Sequence, residues 1–331
     1  MMRRCLFVLV LLLVACQQAA QPTNTPPSET SIQLSWVHEY SSAPLYAAEH
    51  NGHFASQNLN VMLEEGGFGE SGYIEPIDQV LDGSVDFGMA SASSLIEARA
   101  QGKPVVAIMS FLQRNPNALI SLAEDNIRRP QDLVGHTVAI NDGGARQTYD
   151  ALLISQNIDP SSVNTVSRTS YGIDPLVNGE VDVIGGWTIN EGVQVQEAGL
   201  EPNIILLSDY GVDTYTFVLF TSETIINEKP DMVERMVRAL VDGLEDVVAD
   251  PDKAAELALL YDESLDLEGQ QRRLQATIPL INPVGSQLGM MQPEVWDTTY
   301  QIMVEQGELS EPVDVESAYN LSFLEKIYQA A

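Results

Sequence analysis

The sequence is poor in thiols, in cations and in histidine, and each shortage removes a class of chemistry. Cysteine occurs twice in 331 residues, as Cys5 and Cys16. Both sit in the N-terminal segment, so the rest of the chain can form no disulfide, no Cys-ligated zinc site and no cysteine nucleophile. Stability must come from an apolar core, and about 300 residues suffice for two lobes. Lysine and arginine number 16 against 47 aspartates and glutamates, a formal net charge of -31. Phosphate binding needs a basic face, which argues against a nucleic acid partner. The acidic residues are spread along the chain, as on a solvated surface. An anionic ligand would have to be held by local donors against that field. The four histidines, His38, His50, His53 and His136, form no HExxH or similar pair. No GxSxG elbow and no Walker phosphate loop occurs. Nothing here points to a metal, a cofactor or a catalytic residue, and none is expected.

The N-terminal apolar run, residues 6–14, is too short to span a bilayer. Arg3 and Arg4 precede it. Leu13-Val14-Ala15-Cys16 ends it and reads as a bacterial lipobox, small residues before a cysteine. Residues 1–15 are then a lipoprotein signal, and Cys16 becomes the lipid-bearing first residue. An ordinary secretory signal with a chance cysteine is the alternative. The polar Pro/Thr/Ser/Gln stretch over 16–30 favours the lipoprotein, as a flexible tether. A lipid anchor holds a protein on a membrane surface without spanning it. Loss of Arg3 and Arg4 with the signal takes the net charge from -31 to -33.

After the tether the chain alternates short apolar strands with helical segments. Strands are predicted over 31–37, 61–65, 85–90 and 105–110, with helices over 44–51, 73–82 and 95–101 between them. The pattern recurs with strands over 137–140, 163–166, 181–187 and 204–207, and helices over 146–155, 173–178 and 192–197. A strand over 215–220 returns the chain to the first unit. Helices then follow over 229–249, 252–261, 267–277, 293–306 and 315–329. The stripe Met232, Met236, Leu240 and Leu244 marks a core face. Residues 83–91 and 179–187 match each other as helix end, Val-Asp pair, strand and loop. Two similar α/β lobes would show such a repeat. One lobe takes 31–116 and 216–331, the other 117–215, and each offers loops to a shared cleft.

Ligands of open α/β sheets bind beyond the carboxyl ends of the strands. Trp36 and Tyr40 fall there in the first lobe, as does Ser91, which also caps the helix after it. Tyr73 closes a glycine-rich loop over 66–73. Asn141 opens the turn Asn141-Asp142-Gly143-Gly144, ahead of a helix. Trp187, Asn190 and Glu191 put an indole, an amide and a carboxylate within five residues, just past a strand end. Indole faces stack on flat rings, and the amide and carboxylate accept hydrogen bonds from ring N–H groups. Packing of Trp36 and Trp187 in the core, with Asn190-Glu191 capping a helix, is the plainer alternative.

These residues resemble a known family, the substrate-binding proteins of bacterial ABC importers in their thiamine-pyrimidine and riboflavin branch. The resemblance spans about residues 31 to 320. It rests on Leu34-Ser35-Trp36-Val37, on residues 45–54, on Gly83-Ser84-Val85-Asp86-Phe87-Gly88, and on Gly179-Glu180-Val181-Asp182 leading to Trp187-Thr188-Ile189-Asn190-Glu191. It implies a two-lobed periplasmic-binding-protein fold of type II, with sheets flanked by helices and the ligand in the interlobe cleft. Trp36 is implied as a stacking residue and Glu191 as the polar recognition residue. The family fold also contains a synthase of the thiamine pyrimidine. That enzyme carries a histidine, a pyridoxal-bearing lysine and a cysteine-rich iron motif. Here Ser42 stands where the histidine would be, Pro44 replaces a glycine and Glu49 a usual lysine, so a binding protein is expected rather than an enzyme. Tyr40, Tyr73, Tyr171 and Tyr215 suggest stacking area for a large ring system. The expected ligand is riboflavin, with a thiamine pyrimidine precursor as the alternative. The expected partners are an ABC permease and its ATPase subunits, and the expected place is the outer face of the cell membrane.

Overall fold

The computed structural model describes residues 26–69, 72–168, 172–309 and 311–330. The signal segment, Cys16, most of the tether and Tyr171 lie outside the described residues. The described strands are β1 (Ser28–Gln33), β2 (Leu59–Glu64), β3 (Phe68–Gly69), β4 (Gly72–Tyr73), β5 (Phe87–Ala90), β6 (Val105–Ser110), β7 (Asn117–Leu122), β8 (Thr137–Ile140), β9 (Asn164–Ser167), β10 (Val183–Trp187), β11 (Pro202–Leu206) and β12 (Val218–Ser222). One five-stranded sheet runs β2-β1-β5-β12-β6, and a second runs β11-β7-β10-β8-β9. β1, β2 and β5 are parallel, and β12 enters between β5 and β6 antiparallel to both. In the second sheet β7 is antiparallel to its neighbours β10 and β11, while β8, β9 and β10 are parallel. In the first sheet β5, β6 and β12 are buried along their whole length, as strands covered by helices on both faces require, while the outer strands β2 and β9 are largely exposed or half-buried.

The helix Pro230–Ala249 lays its Met232, Met236, Leu240 and Leu244 face into the first lobe's core, as its stripe predicts. It crosses the helix Ala43–His50 at Gly243. A Cβ there would sit 2.4 Å from the Pro44 carbonyl oxygen. Proline opens this helix and several others at the first turn, where its missing N–H costs nothing.

Several elements differ from the sequence reading: Tyr73, read as the start of a helix, lies in β4, and that helix begins at Pro76. β1 begins at Ser28, so residues 28–30, read as tether, are strand, paired in register with Leu59, Asn60 and Val61. β1 also stops at Gln33 rather than 37. The Gln33 side-chain amide donates to the Glu64 and Glu65 carbonyls, and Gly66 N–H donates to the Trp36 carbonyl. These bonds curl 34–37 off the sheet, leaving Trp36 43% exposed. β7 was not foreseen at all. The segment read as a helix over 315–329 is a 3-10 turn, Val315–Ala318, followed by the helix Ser322–Ala330.

The chain passes from the first sheet to the second over 111–116 and returns over 207–217. The two crossovers are tied together. Phe111 N–H donates to the Phe217 carbonyl (2.8 Å), Asn115 N–H to Asp213 Oδ1 (3.0 Å), and Asn115 Nδ2 to the Thr214 carbonyl (2.9 Å). Among the described residues no helix is long and apolar enough to cross a membrane, and no cluster of side chains is arranged to hold a metal ion.

Candidate ligand site

A cavity of about 920 Å3 lies between the facing sheet edges, at the upper end of the range for small-molecule sites. Its walls come from chain just past β1, β5, β8 and β10 and just before β7 and β12. These are the carboxyl ends of the parallel strands and the amino ends of the antiparallel ones, hence one edge of each sheet.

The first lobe supplies an aromatic wall. The Trp36 ring meets Phe68 edge to face at 5.9 Å, and Phe68 meets Tyr73 the same way at 5.7 Å. The Tyr73 hydroxyl donates to the Ser35 carbonyl (2.8 Å) and fixes the wall's end. β3 and β4 form the small hairpin that carries Phe68 and Tyr73. Its approach depends on Gly66, where a Cβ would lie 2.2 Å from the Leu34 carbonyl oxygen. Phe68 is 73% exposed and lines the cavity, yet it was not singled out from the sequence. Its place in the glycine-rich loop was the available signal. Opposite stands Trp187, edge to face with Phe217 at 5.7 Å.

Of the residues singled out, Trp36, Tyr73, Ser91, Asn141, Trp187, Asn190 and Glu191 line the cavity. Ser91 also caps the helix Ala92–Ala100, its Oγ accepting from Ser94 N–H. Asn141 Nδ2 donates to the Arg168 carbonyl (3.1 Å). Tyr40 and Tyr215 do not line it; each is 2% exposed. Tyr40 lies behind the wall, its N–H held by Gln270 Oε1 and its hydroxyl donating to Asn190 Oδ1 at 2.9 Å. Tyr215 turns into the first lobe's core beside Trp296, its hydroxyl accepting from Gln292 N–H. Thr216 and Phe217 reach the cavity in its place. Burial pushes both phenols well above their ordinary pKa.

Glu191 is not the free acceptor that its position suggested. It opens the helix Glu191–Glu197. Oε1 takes a hydrogen bond from Arg168 Nη1 (3.1 Å), and Oε2 takes one from Trp187 N–H (2.9 Å). The Arg168 side chain is 1% exposed and also donates to the Gly185 and Gly172 carbonyls. Gly186 leaves room for this pair, since a Cβ there would fall 2.7 Å from the carboxylate. The carboxylate still borders the cavity, but two of its lone pairs are committed to the lobe's own structure.

A profile of the NMT1/THI5-like family matches residues 39–254. The chain belongs to that family. It is 28% identical to riboflavin-binding protein RibY of Chloroflexus aurantiacus, over 96% of this chain and 95% of that one. It is 24% identical to the formylaminopyrimidine-binding protein of Halalkalibacterium halodurans, over 95% and 96%. It is 23% identical to the 4-amino-5-hydroxymethyl-2-methylpyrimidine phosphate synthase of Legionella pneumophila, over 90% and 92%. The solved periplasmic sulfonate-binding protein SsuA of Methylobacillus flagellatus superposes with a TM-score of 0.69 at 14% identity, over 92% and 95%. The two-lobed α/β architecture is therefore the periplasmic-binding-protein fold.

This NMT1/THI5-like chain differs from the synthase pattern at positions whose surroundings are now visible. Ser42 is buried under the start of the helix Ala43–His50 and does not line the cavity. Glu49 lies on the outer surface, accepting from the Tyr261 hydroxyl. The charged residues that do line the cavity are all acidic: Glu39, Glu75, Asp142 and Glu191. Burial raises the Glu39 carboxyl above its ordinary pKa, against the pull of the Ser41 hydroxyl and of Arg273. Glu75 is raised for the same reason.

Proposed function

We propose that this chain is the solute-binding component of an ABC importer and that it captures riboflavin for a membrane permease. The observation that carries the reading is the pair of aromatic walls, Trp36-Phe68-Tyr73 on the first lobe and Trp187 from the second, edge to face with Phe217 of the return crossover, across a cavity of about 920 Å3. A flat polycyclic ring fits between such faces, with Asn117, Asn141 and Asn190 at hand for its ring nitrogens and carbonyls. The riboflavin-binding relative, matched along nearly the whole of both chains, supports the same choice. The formylaminopyrimidine-binding relative supports a second ligand, a thiamine pyrimidine precursor. A single small ring would leave much of the cavity to water, so the larger ligand ranks first. The reading involves no turnover: the ligand is released unaltered.

Titration of the purified mature chain with riboflavin, followed by flavin fluorescence, tests the proposal. Saturable quenching at micromolar ligand is expected, and its absence overturns the choice of riboflavin. Native mass spectrometry of co-purified ligand separates flavin from pyrimidine. We further propose that Cys16 carries lipid and tethers the chain to the outer face of the cell membrane. Partition of the wild type into a detergent phase, lost in Cys16→Ala, tests that anchor.

A further inference from the structure

Among the described residues the cavity is lined by charge of one sign only. Glu39 and Glu75 approach from the first lobe, Asp142 and Glu191 from the second, and among the described residues no lysine, arginine or histidine lines it. The nearest guanidiniums are already engaged. Arg168 is held behind Glu191 by the carboxylate and two carbonyls. Arg273 stands near Glu39, with Glu197 at 3.7 Å. Arg146 is paired with Asp150 at 2.9 Å. Helix N-termini and backbone N–H groups at the cavity would have to hold an anion alone, against four carboxylates.

We infer that the cavity selects its ligand by charge: Glu39, Glu75 and Asp142 reject a phosphomonoester and admit the dephosphorylated form of the same molecule. A phosphomonoester carries a charge of about -1.5 to -2 at neutral pH. Two unit charges about 8 Å apart, at an effective dielectric near 20, alter binding by about 30-fold. Glu191 contributes less, because Arg168 neutralises it. Three carboxylates to which, among the described residues, no cation is bonded, with Arg273 offsetting part of the charge of Glu39, thus place discrimination at about 100-fold or more, even after screening. The chemistry implies a reaction class upstream. Where the ligand's source is phosphorylated, hydrolysis of the phosphomonoester must precede capture.

The inference rests on the riboflavin reading for its first probe pair, riboflavin and flavin mononucleotide. Both are titrated into the full mature wild type and into Glu39→Gln/Glu75→Gln/Asp142→Asn, whose folding is checked by thermal melting. If that variant does not fold, the three single substitutions replace it. The quantity read is the ratio of the two dissociation constants. Wild type should bind the phosphorylated form at least about 100-fold more weakly, and the ratio should fall at least about tenfold in the variant and on going from about 10 mM to about 1 M salt. A wild-type ratio near one, or a ratio that the variant leaves unchanged, overturns the inference while leaving the riboflavin reading intact. Failure of riboflavin itself to bind overturns that reading instead. The pair 4-amino-5-hydroxymethyl-2-methylpyrimidine and its phosphate then replaces the flavins under the same criteria. If neither free form binds, the inference falls as well.

Discussion

Removing the Glu191 carboxylate should damage the second lobe before it damages ligand recognition. Arg168, buried to 1% exposure, has Glu191 as its carboxylate partner at 3.1 Å. Glu191→Ala leaves that guanidinium buried with, among the described residues, the Gly185 and Gly172 carbonyls as its remaining partners. Breaking a buried pair from one side costs about 3–5 kcal/mol. The Trp187 N–H also loses its acceptor, a further cost of about 1–3 kcal/mol that overlaps the first. For a lobe of about 100 residues, such as 117–215, about 1 kcal/mol lowers Tm by about 4–8 °C, so a fall of at least about 12 °C in the melting of that lobe is expected. Glu191→Gln keeps an acceptor for Trp187 and should lose roughly half as much. Replacing both partners, Arg168→Met with Glu191→Leu, should recover most of the loss, because no uncompensated charge remains. Calorimetry of the four proteins without ligand gives the numbers. A Glu191→Ala melting curve within about 2 °C of wild type would refute the structural role assigned to the pair.

Other perturbations read other parts of the molecule. Trp36→Ala removes one face of the aromatic wall and should weaken riboflavin binding by about 1–3 kcal/mol, about 5- to 150-fold, with Tm little changed; fluorescence titration reads it. Gly243→Ala drives a Cβ to 2.4 Å from the Pro44 carbonyl. The overpacking cost of about 1–3 kcal/mol outweighs the gain in helix propensity, so urea denaturation should show a net loss. His38 is held below its ordinary pKa of 6.5 by burial, against the pull of Glu65, Asp262 and Glu49. Its neutral ring, stacked on Tyr261, therefore contributes stability that is present above 6.5 and lost as pH falls through the lower folded value. The Tm gap between wild type and His38→Gln should narrow as the solution is acidified below 6.5, and a constant gap would count against this sign.

The parallel strands and the repeat of two units were legible because buried strands are short apolar runs bounded by glycine or polar turns. β7 was missed although Asn115-Pro116 stands directly before Asn117-Ala118-Leu119-Ile120-Ser121-Leu122, because periodicity alone does not tell a short apolar run in a strand from one in a helix. The cavity's location followed from strand ends, which is why most chosen residues line it. Tyr40 and Tyr215 were misplaced because composition does not say which way a loop side chain turns, and each phenol found a buried partner instead. The role of Glu191 was hidden for a different reason. Arg168 lies 23 residues earlier in sequence, just past the end of β9, and only the parallel pairing of β8 with β9 and β10 brings the two together. A buried ion pair between loops has no periodicity to announce it.

Closure of the cleft is held by few direct bonds, and that governs how binding should work. Tyr40 donates to Asn190 at 2.9 Å, Arg272 and Arg273 face Glu197 at 3.6 and 3.7 Å, Gln306 Nε2 donates to the Gln147 carbonyl at 2.9 Å, and Gln147 Nε2 donates to Glu308. Half-exposed ion pairs of this kind contribute about 0–1 kcal/mol and neutral hydrogen bonds about 0.5–1.5 kcal/mol each. Together they amount to a few kcal/mol, set against the freedom gained when the short crossovers at 111–116 and 207–217 let the lobes part. Moving a two-state equilibrium from 1:99 to 99:1 takes about 5.5 kcal/mol of differential binding. Stacking against both aromatic walls at about 1–3 kcal/mol per face is of that order, and only the closed form offers both. Tyr40→Phe deletes the bridge and leaves every lining side chain in place, freeing the Asn190 Oδ1 acceptor. The open fraction without ligand should rise, and riboflavin affinity should fall by about 2- to 10-fold, which is the bond's net contribution and no more. Interlobe distances from paired spin labels report the first quantity and titration the second. A Tyr40→Phe protein with unchanged distances and unchanged affinity would show that Asn190 and Tyr40 do not couple the lobes, and that closure is governed at the crossovers instead.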